Sequence, residues 1–357
     1  MERGHVRWSA AALTIEGMSK LRDVRHIPVL IDPVLKFLAP QAGQTFVDCT
    51  LGLGGHSAAI LQRIAPGGRL VAIDFDPVNI ALARSQLEAT GATVTTHPVD
   101  IPASRQAVVA TPFPIPLSAP AHPPAHLANA DLFHTNFAGV PGVLQELGID
   151  RVDGLLADVG VASTQIDDPA RGFSYRQPGP LDMRMDPTRG QPASALLARI
   201  SERELAEAIL QFGDETDAPE IASLIVRRRK EKPILTTQDL MTIVCEARDF
   251  TIERGAGAKL HPAARTFQAL RILVNRELAN LERLLTVLPS VLKPGGVAVI
   301  ISFHSGEDRT VKQSFREGLR EGIYSEISPE PVIADETEQR VNPRSRSAKL
   351  RWARLAV

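Results

Sequence analysis

The feature that most constrains this chain is a strand, a glycine-rich turn, a helix and a second strand, with a carboxylate closing each strand. Thr45-Phe-Val-Asp-Cys-Thr50 is a short β-prone run. Leu51-Gly-Leu-Gly-Gly-His-Ser57 follows it, then a helical stretch carrying Ile60, Leu61 and Ile64. Beyond Pro66-Gly67-Gly68, Arg69-Leu-Val-Ala-Ile-Asp74 has the character of a buried strand, and Asp76-Pro77 supplies an N-cap and a first-turn proline for a helix through Leu87. Further strands are predicted at 92–97, 152–158, 297–303 and 349–357. Near-continuous apolar strands alternating with helices imply a parallel sheet covered on both faces, and such sheets bind ligands beyond their C-terminal strand ends. Asp48, Asp74 and Asp158 fall at those ends.

The rest of the chain fits around that unit. At 357 residues, 44% apolar and 23% charged, it has the composition of an ordinary globular protein. A net charge of −1 means that any polyanion must be met by a local basic cluster, not by the overall field. Two cysteines are too few for a disulfide framework, so a reducing, cytoplasmic setting is expected. No apolar run near the N-terminus suggests a signal or membrane segment. Residues 1–25 read as a loose leader, and the Pro- and Ala-rich stretch 98–130 as a mobile surface insertion with order resuming at His134. From 169 to 260 strand signals give way to helical ones. Ser201-Glu-Arg-Glu204 forms a capping box there, and Thr237 is expected to cap a helix before Asp239. One long amphipathic helix is predicted over 265–288, with Phe267, Leu270, Val274, Leu278, Leu281 and Leu285 on its apolar stripe.

Several residues carry chemistry. The turn Gly52-Leu-Gly-Gly55 suits a nucleotide, a dinucleotide or simply a tight bend. Asp48, just before it, disfavours a pyrophosphate and favours a cofactor bearing an ammonium and a sulfonium. Asp74 is placed to accept the hydroxyls of a ribose. His56 either packs on the following helix or touches the ligand, and Asp158 is either a strand-end cap or a ligand contact. No partner stands at metal-ligand spacing from His56, so no metal site is expected. The loop Gly179-Pro-Leu-Asp-Met-Arg-Met-Asp186 spends two methionines outside any helix and reads as a lid. The run Arg227-Arg-Arg-Lys230 is a solvated helix face or a phosphate contact; the denser cluster Arg340, Arg344, Arg346, Lys349, Arg351 and Arg354 is the better candidate for phosphate. His304 is a candidate acid or base, though a Ser-His-Asp hydrolase lacks its nucleophile elbow.

These motifs together resemble a family. His26-Ile-Pro-Val-Leu30, the stretch from Asp48 to Ser57, Asp158-Val-Gly-Val-Ala-Ser163, Arg171-Gly-Phe-Ser174, the loop from Asp182 to Gly190, the run from His261 to Arg271, Ser302-Phe-His-Ser305 and Asn342-Pro-Arg-Ser-Arg-Ser347 are similar to the bacterial ribosomal RNA small-subunit methyltransferase H family. The resemblance implies a class I S-adenosylmethionine-dependent methyltransferase, an α/β Rossmann-like fold with a mostly parallel sheet. It implies parts at 26–168 and 261–357 around a helical insertion at 169–260, and methylation of N4 of a cytidine in the decoding region of 16S ribosomal RNA, within the small subunit. Carried over by motif, cofactor contacts fall on Gly54, Gly55, His56, Asp74, Phe137, Asp158 and Gln165, and Asp158 is the candidate catalytic group. Arg184, Arg265, His304, Arg344 and Arg346 are the candidate RNA contacts. Pro33, Ala162 and Gly306 depart from the family's usual residues. Two other readings stand beside this one: methylation of a protein or small molecule, and a catalytically silent RNA-binding or ribosome-assembly factor on the same fold.

Overall fold

A computed structural model describes residues 27–98, 128–248 and 261–357. The expected leader and residues 99–127 of the expected insertion lie outside the described residues. The first half of the chain runs through α1 (Ile31–Leu38), β1 (Thr45–Asp48), α2 (Gly55–Ile64), β2 (Arg69–Asp74), α3 (Pro77–Glu88), β3 (Thr93–Thr96), β4 (Asn129–His134), α4 (Val140–Glu146), β5 (Val152–Asp158) and α5 (Ser163–Asp167). Helices α6 (Ala193–Arg199), α7 (Glu202–Gly213), α8 (Ala218–Glu231), α9 (Thr237–Ala247), α10 (Ala264–Asn275) and α11 (Glu277–Val291) follow. The chain then returns to the sheet with β6 (Leu292–Ser302), α12 (Ser305–Arg320), β7 (Tyr324–Ile327), α13 (Glu336–Val341) and β8 (Lys349–Leu355).

The eight described strands form one sheet in the order β3-β4-β2-β1-β5-β6-β8-β7. Neighbours from β3 to β6 are parallel, whereas β8 is antiparallel to both β6 and β7. Strand order turns back at β1, which pairs with β2 on one side and β5 on the other, so a crevice opens beyond the C-terminal ends of these strands. In register, Asp48 lies opposite Ala72, Asp74 opposite His134 and Asp158 opposite Ile301. All three carboxylates therefore finish at the same edge.

One apolar core, including Val34, Ile60 and Ile80, fills the face under α1, α2 and α3; another, including Leu144, Leu284 and Phe315, fills the face under α4, α11 and α12. A third belongs to the helical unit and takes in Leu197, Leu205, Ile209, Ile225 and Leu240 together with Phe267 and Leu270 of α10. By packing, then, α10 goes with the helical unit, although its sequence was assigned to the second sheet segment.

Three local expectations need correction. Strand β4 begins at Asn129, inside the stretch read as insertion and five residues before the expected return of order. Its four central residues, Ala130, Asp131, Leu132 and Phe133, are buried between β2 and β3, so no solvent-facing alternation marks it after the prolines. The long helix over 265–288 is two helices broken at Arg276, whose φ of 52° is left-handed. Side chains hold that break: Asn275 Nδ2 donates to the carbonyls of Met183 (2.7 Å) and Arg271 (2.9 Å), and Asn280 Nδ2 donates to the Asn275 carbonyl (3.0 Å). Helix α9 is capped by Thr236, not Thr237: its hydroxyl accepts from the Asp239 amide, and the Asp239 carboxylate accepts from the Thr236 amide. Thr237 is buried one position further on, donating to the Gln177 carbonyl.

Candidate active site

A cavity of about 580 Å³ occupies the crevice at the strand ends. One wall is made by the strand ends and the glycine-rich turn. Asp48 is buried beneath that turn, accepting from Ser57 Oγ (2.7 Å) and the Thr50 amide (3.0 Å). Burial raises its pKa, with the Ser57 and Thr50 donors opposing. It is not among the residues that line the cavity, so it shapes the turn and does not meet a ligand's ammonium as expected. Gly54 likewise faces away. Its φ of 85° starts α2, and a Cβ there would sit 3.3 Å from Ala83 Cβ, so it lets α2 and α3 approach each other. Gly55 and Gly52 do line the cavity, and the Gly52 amide donates to Asp74 Oδ2 at 2.7 Å.

Asp74 also accepts from the Asp76 amide (2.7 Å) and from Asn79 Nδ2. Burial and the neighbouring Asp76 carboxylate push its pKa up to about 7, against these donors. A carboxylate so placed gains by taking hydroxyl donors from outside. Phe137 opens a single 3-10 turn capped by Asn136 and lines the same end of the cavity. Gln165 lines it too, tied by Nε2 to Asp76 Oδ2 (2.8 Å) and by its oxygen to the Ala162 amide (2.9 Å). That amide contact survives the serine-to-alanine departure at 162, because it uses backbone only.

At the middle of the crevice stand His56 and Asp158. His56 Nε2 donates to the Val29 carbonyl at 2.8 Å, which turns Nδ1 toward Asp158 Oδ2, 3.8 Å away. Asp158 Oδ1 is buried with no hydrogen-bond partner among the described residues. Burial pushes the Asp158 pKa up to about 6; His56 pulls it down, while Asp48 and Glu307 raise it further. A cavity-lining carboxylate with unused lone pairs is a ready acceptor for a donor on a bound molecule.

The opposite wall comes from the helical unit together with the first turns of α11 and α12, and sequence reading missed most of it. Arg271, Asn275, Glu277 and Glu307 line the cavity. Arg271 grips Glu277 across the broken helix with two bonds of 2.9 Å each. Burial raises Glu277 despite Arg271, whereas contacts with His304 and Arg271 overcome burial and hold Glu307 below the usual carboxylate range. Arg271 closes the motif that begins at His261, so its residue type was visible; its face was not, because the predicted helix ran straight through Arg276.

The methionine loop is a fixed wall and not a free lid. Met183 is fully buried in the helical core, and only Met185 faces the cavity. Arg171 pairs with Asp76 (2.6 Å) and donates to the carbonyls of Arg184 and Met185. His134 lies 3.3 Å from Asp186, and Asn275 accepts from the Met185 amide.

The candidate RNA contacts divide. Arg344 lines the cavity mouth, paired with Asp167 at 2.7 Å. Arg184 is spent on Asp182, Arg265 donates to the Asp214 carbonyl, His304 caps α12 beside Glu307, and Arg346 is exposed; none of these four lines the cavity. In the run at 227–230, Arg229 is bound to the carbonyls of Leu197 and Ile200, and Arg228 to Glu231 and Glu246. That run is partly internal structure. Among the described residues no group of side chains could hold a metal ion.

The chain matches a model of the MraW methylase family over residues 23–101 and 124–356. The ribosomal RNA small subunit methyltransferase H of Geotalea uraniireducens is 42% identical over 350 residues, covering 93% of this chain and 99% of that protein. That of Acidobacterium capsulatum is 40% identical over 329 residues, covering 92% and 98%. In the solved structures, an S-adenosylmethionine-dependent O-methyltransferase from Thermotoga maritima aligns over 96% of this chain and 71% of its own, at 10% identity and a TM-score of 0.35. With a Rossmann-like sheet, a crevice at its turning point and a family match along nearly its whole length, the chain belongs to the MraW methylase family.

Proposed function

We propose that this protein transfers a methyl group from S-adenosylmethionine to N4 of a cytidine in the decoding region of 16S ribosomal RNA, acting on the small subunit in the cytoplasm. The observation that carries the reading is Asp158, a cavity-lining carboxylate at the turning point of the sheet that keeps one oxygen without a hydrogen-bond partner among the described residues. No described helix is long and apolar enough to cross a membrane.

The residues fit the cofactor. Asp74 offers a carboxylate to a ribose, the Gly52–Gly55 turn leaves room for close approach, and Phe137 and Gln165 flank the same end. S-adenosylmethionine, when bound, supplies an electrophilic methyl on a sulfonium. The chain's own task is alignment, since an in-line displacement depends mostly on holding donor and acceptor in position. Cytosine N4 is a weak nucleophile because its lone pair is delocalised into the ring. Asp158 accepts a hydrogen bond from the N4 hydrogens and draws that lone pair back onto nitrogen. His56, fixed by Val29, orients the carboxylate. The helical unit, with Met185, Arg271 and Glu277, walls the side from which a flipped base enters.

Tritium transfer from labelled S-adenosylmethionine to small ribosomal subunits tests this, with bulk protein as the control. Label in cytidine N4 of the subunit RNA is the expected result. Absence of label despite tight cofactor binding would sink the reading, and absence of cofactor binding by calorimetry would favour the silent assembly factor.

A further inference from the structure

Four of the six cations of the C-terminal cluster are paired with carboxylates of the same chain, while Arg340 and Arg346 are exposed without an ion pair among the described residues. Lys349 and Arg351 pair with Asp308, Arg354 with Glu326, and Arg344 with Asp167. Helix α12 behaves differently. Arg309, Lys312, Arg316 and Arg320 recur at helical spacing, within one arc of about 80° at 100° per residue. Arg309, Arg316 and Arg320 are exposed and Lys312 is half-exposed. None of the four makes an ion pair or side-chain hydrogen bond among the described residues. The helix's acids sit on other arcs: Glu307 and Asp308 are engaged at the N-terminal turn, and Glu317 accepts from Gln313.

That pattern opposes helix stability. Lys312 with Arg316, and Arg316 with Arg320, are like charges at i,i+4, an arrangement that destabilises a helix. The helix dipole compensates in the last turn only. The neighbouring helix α11, on the same face of the sheet, adds exposed Arg283, and the break before it adds exposed Arg276, again without an ion pair among the described residues. The stripe starts at the end of α12 that meets the cleft: Glu307 lines the cavity two residues before Arg309, on the opposite arc of the helix, and Leu278 of α11 lies 3.8 Å from where a Cβ on Gly306 would sit.

We infer that the α11–α12 face, led by Arg309, Lys312, Arg316 and Arg320, is the track along which the phosphate backbone of the RNA substrate leaves the cleft. The inference rests on the RNA reading above and assigns its docking surface. The occupant is a polyanion because a row of negative charge complements four cations on one arc that have no ion pair among the described residues. It is RNA because α12 carries Glu307 into the cavity at its N-terminal turn, so the row runs outward from the end of the helix that meets the proposed RNA site.

The test compares the wild type with the Arg309→Gln/Lys312→Gln/Arg316→Gln/Arg320→Gln variant. RNA affinity is measured by fluorescence anisotropy on a small-subunit RNA fragment between 50 and 200 mM salt. Each single-strand phosphate contact contributes a slope of about −0.7 in log K against log salt. The variant's slope should therefore be shallower by about 2 to 3, with KM for RNA raised, while kcat and S-adenosylmethionine affinity stay as in the wild type. Replacing the three arginines by lysine should keep the slope. An unchanged slope and KM in the glutamine variant, together with a slope lost in Arg340→Gln/Arg346→Gln, would overturn the assignment. If the wild type binds RNA through the stripe but transfers no methyl, the methyltransfer reading fails and the surface stands. If it binds no RNA, both fail.

Discussion

The two walls of the cleft are built on different principles. On the strand side, the ligand-facing carboxylates Asp74 and Asp158 end parallel strands, and Asp74 is held chiefly by backbone amides of the adjoining turns. On the helical side, the chemistry is carried by side chains that hold one another, Arg271 on Glu277 and Arg171 on Asp76, across breaks in the chain. The first wall is a consequence of topology, and the second of particular residue pairs. It follows that the strand wall should tolerate loss of a carboxylate structurally and fail chemically, whereas the helical wall should fail by unfolding.

The largest expected effect is on the helical wall. Glu277→Ala leaves Arg271 buried without its partner, which costs about 3–5 kcal/mol of stability. A denaturant melt checks it, and a loss under 1 kcal/mol would mean that solvent already reaches the pair. Next comes Asp158→Asn, expected to lower kcat about 100-fold, the scale of a lost group acting on the reacting nitrogen, with the melt unchanged. Equal losses in kcat and stability would erase the contrast between the walls.

Asp74 gives a smaller effect with a clear sign in pH. With its pKa raised to about 7, the ligand-free protein gains stability from this group at low pH and loses it as pH rises through about 7. Cofactor binding needs the ionised form, so affinity should fall about tenfold per pH unit below 7. Asp74→Asn should bind more weakly at pH 8 and show a flat profile; a wild-type affinity independent of pH from 5.5 to 8 would refute the ribose role. The smallest effect is Thr236→Ala, about 1 kcal/mol from a lost helix cap. Melts of Thr236→Ala and Thr236→Ser, the latter expected to keep wild-type stability, measure it.

The same contrast explains what could be read from sequence. The glycine turn, the acids at strand ends and the proline after Asp76 are local signals that point to Asp74 and Asp158, whereas Phe137 and Gln165, also at the cleft, follow only from the family resemblance. Strand β4 was hidden because burial on both faces removes alternation. The Arg276 break was hidden because the apolar stripe continues across it from Val274 to Leu278, and because an arginine, not a glycine, takes the left-handed turn. Arg184, Arg265 and His304 have side chains suited to RNA, but carbonyls and carboxylates of their own fold engage them. Spacing reports the backbone well. It reports the partner of a long cationic side chain poorly, since that partner is commonly far away in the chain.

The strand that runs against the others has a consequence for how the molecule is assembled. β8 occupies an interior place between β6 and β7, yet it is made after both. As the polypeptide emerges in order, β7 has no neighbour to zip onto until residues 349–355 arrive to bridge the gap. The flank of α12 that packs on β7 and β8 must wait with it. The core from β1 to β5 can consolidate earlier, but the outer flank, and with it the basic helix face, is completed only once β8 has followed β6 and β7.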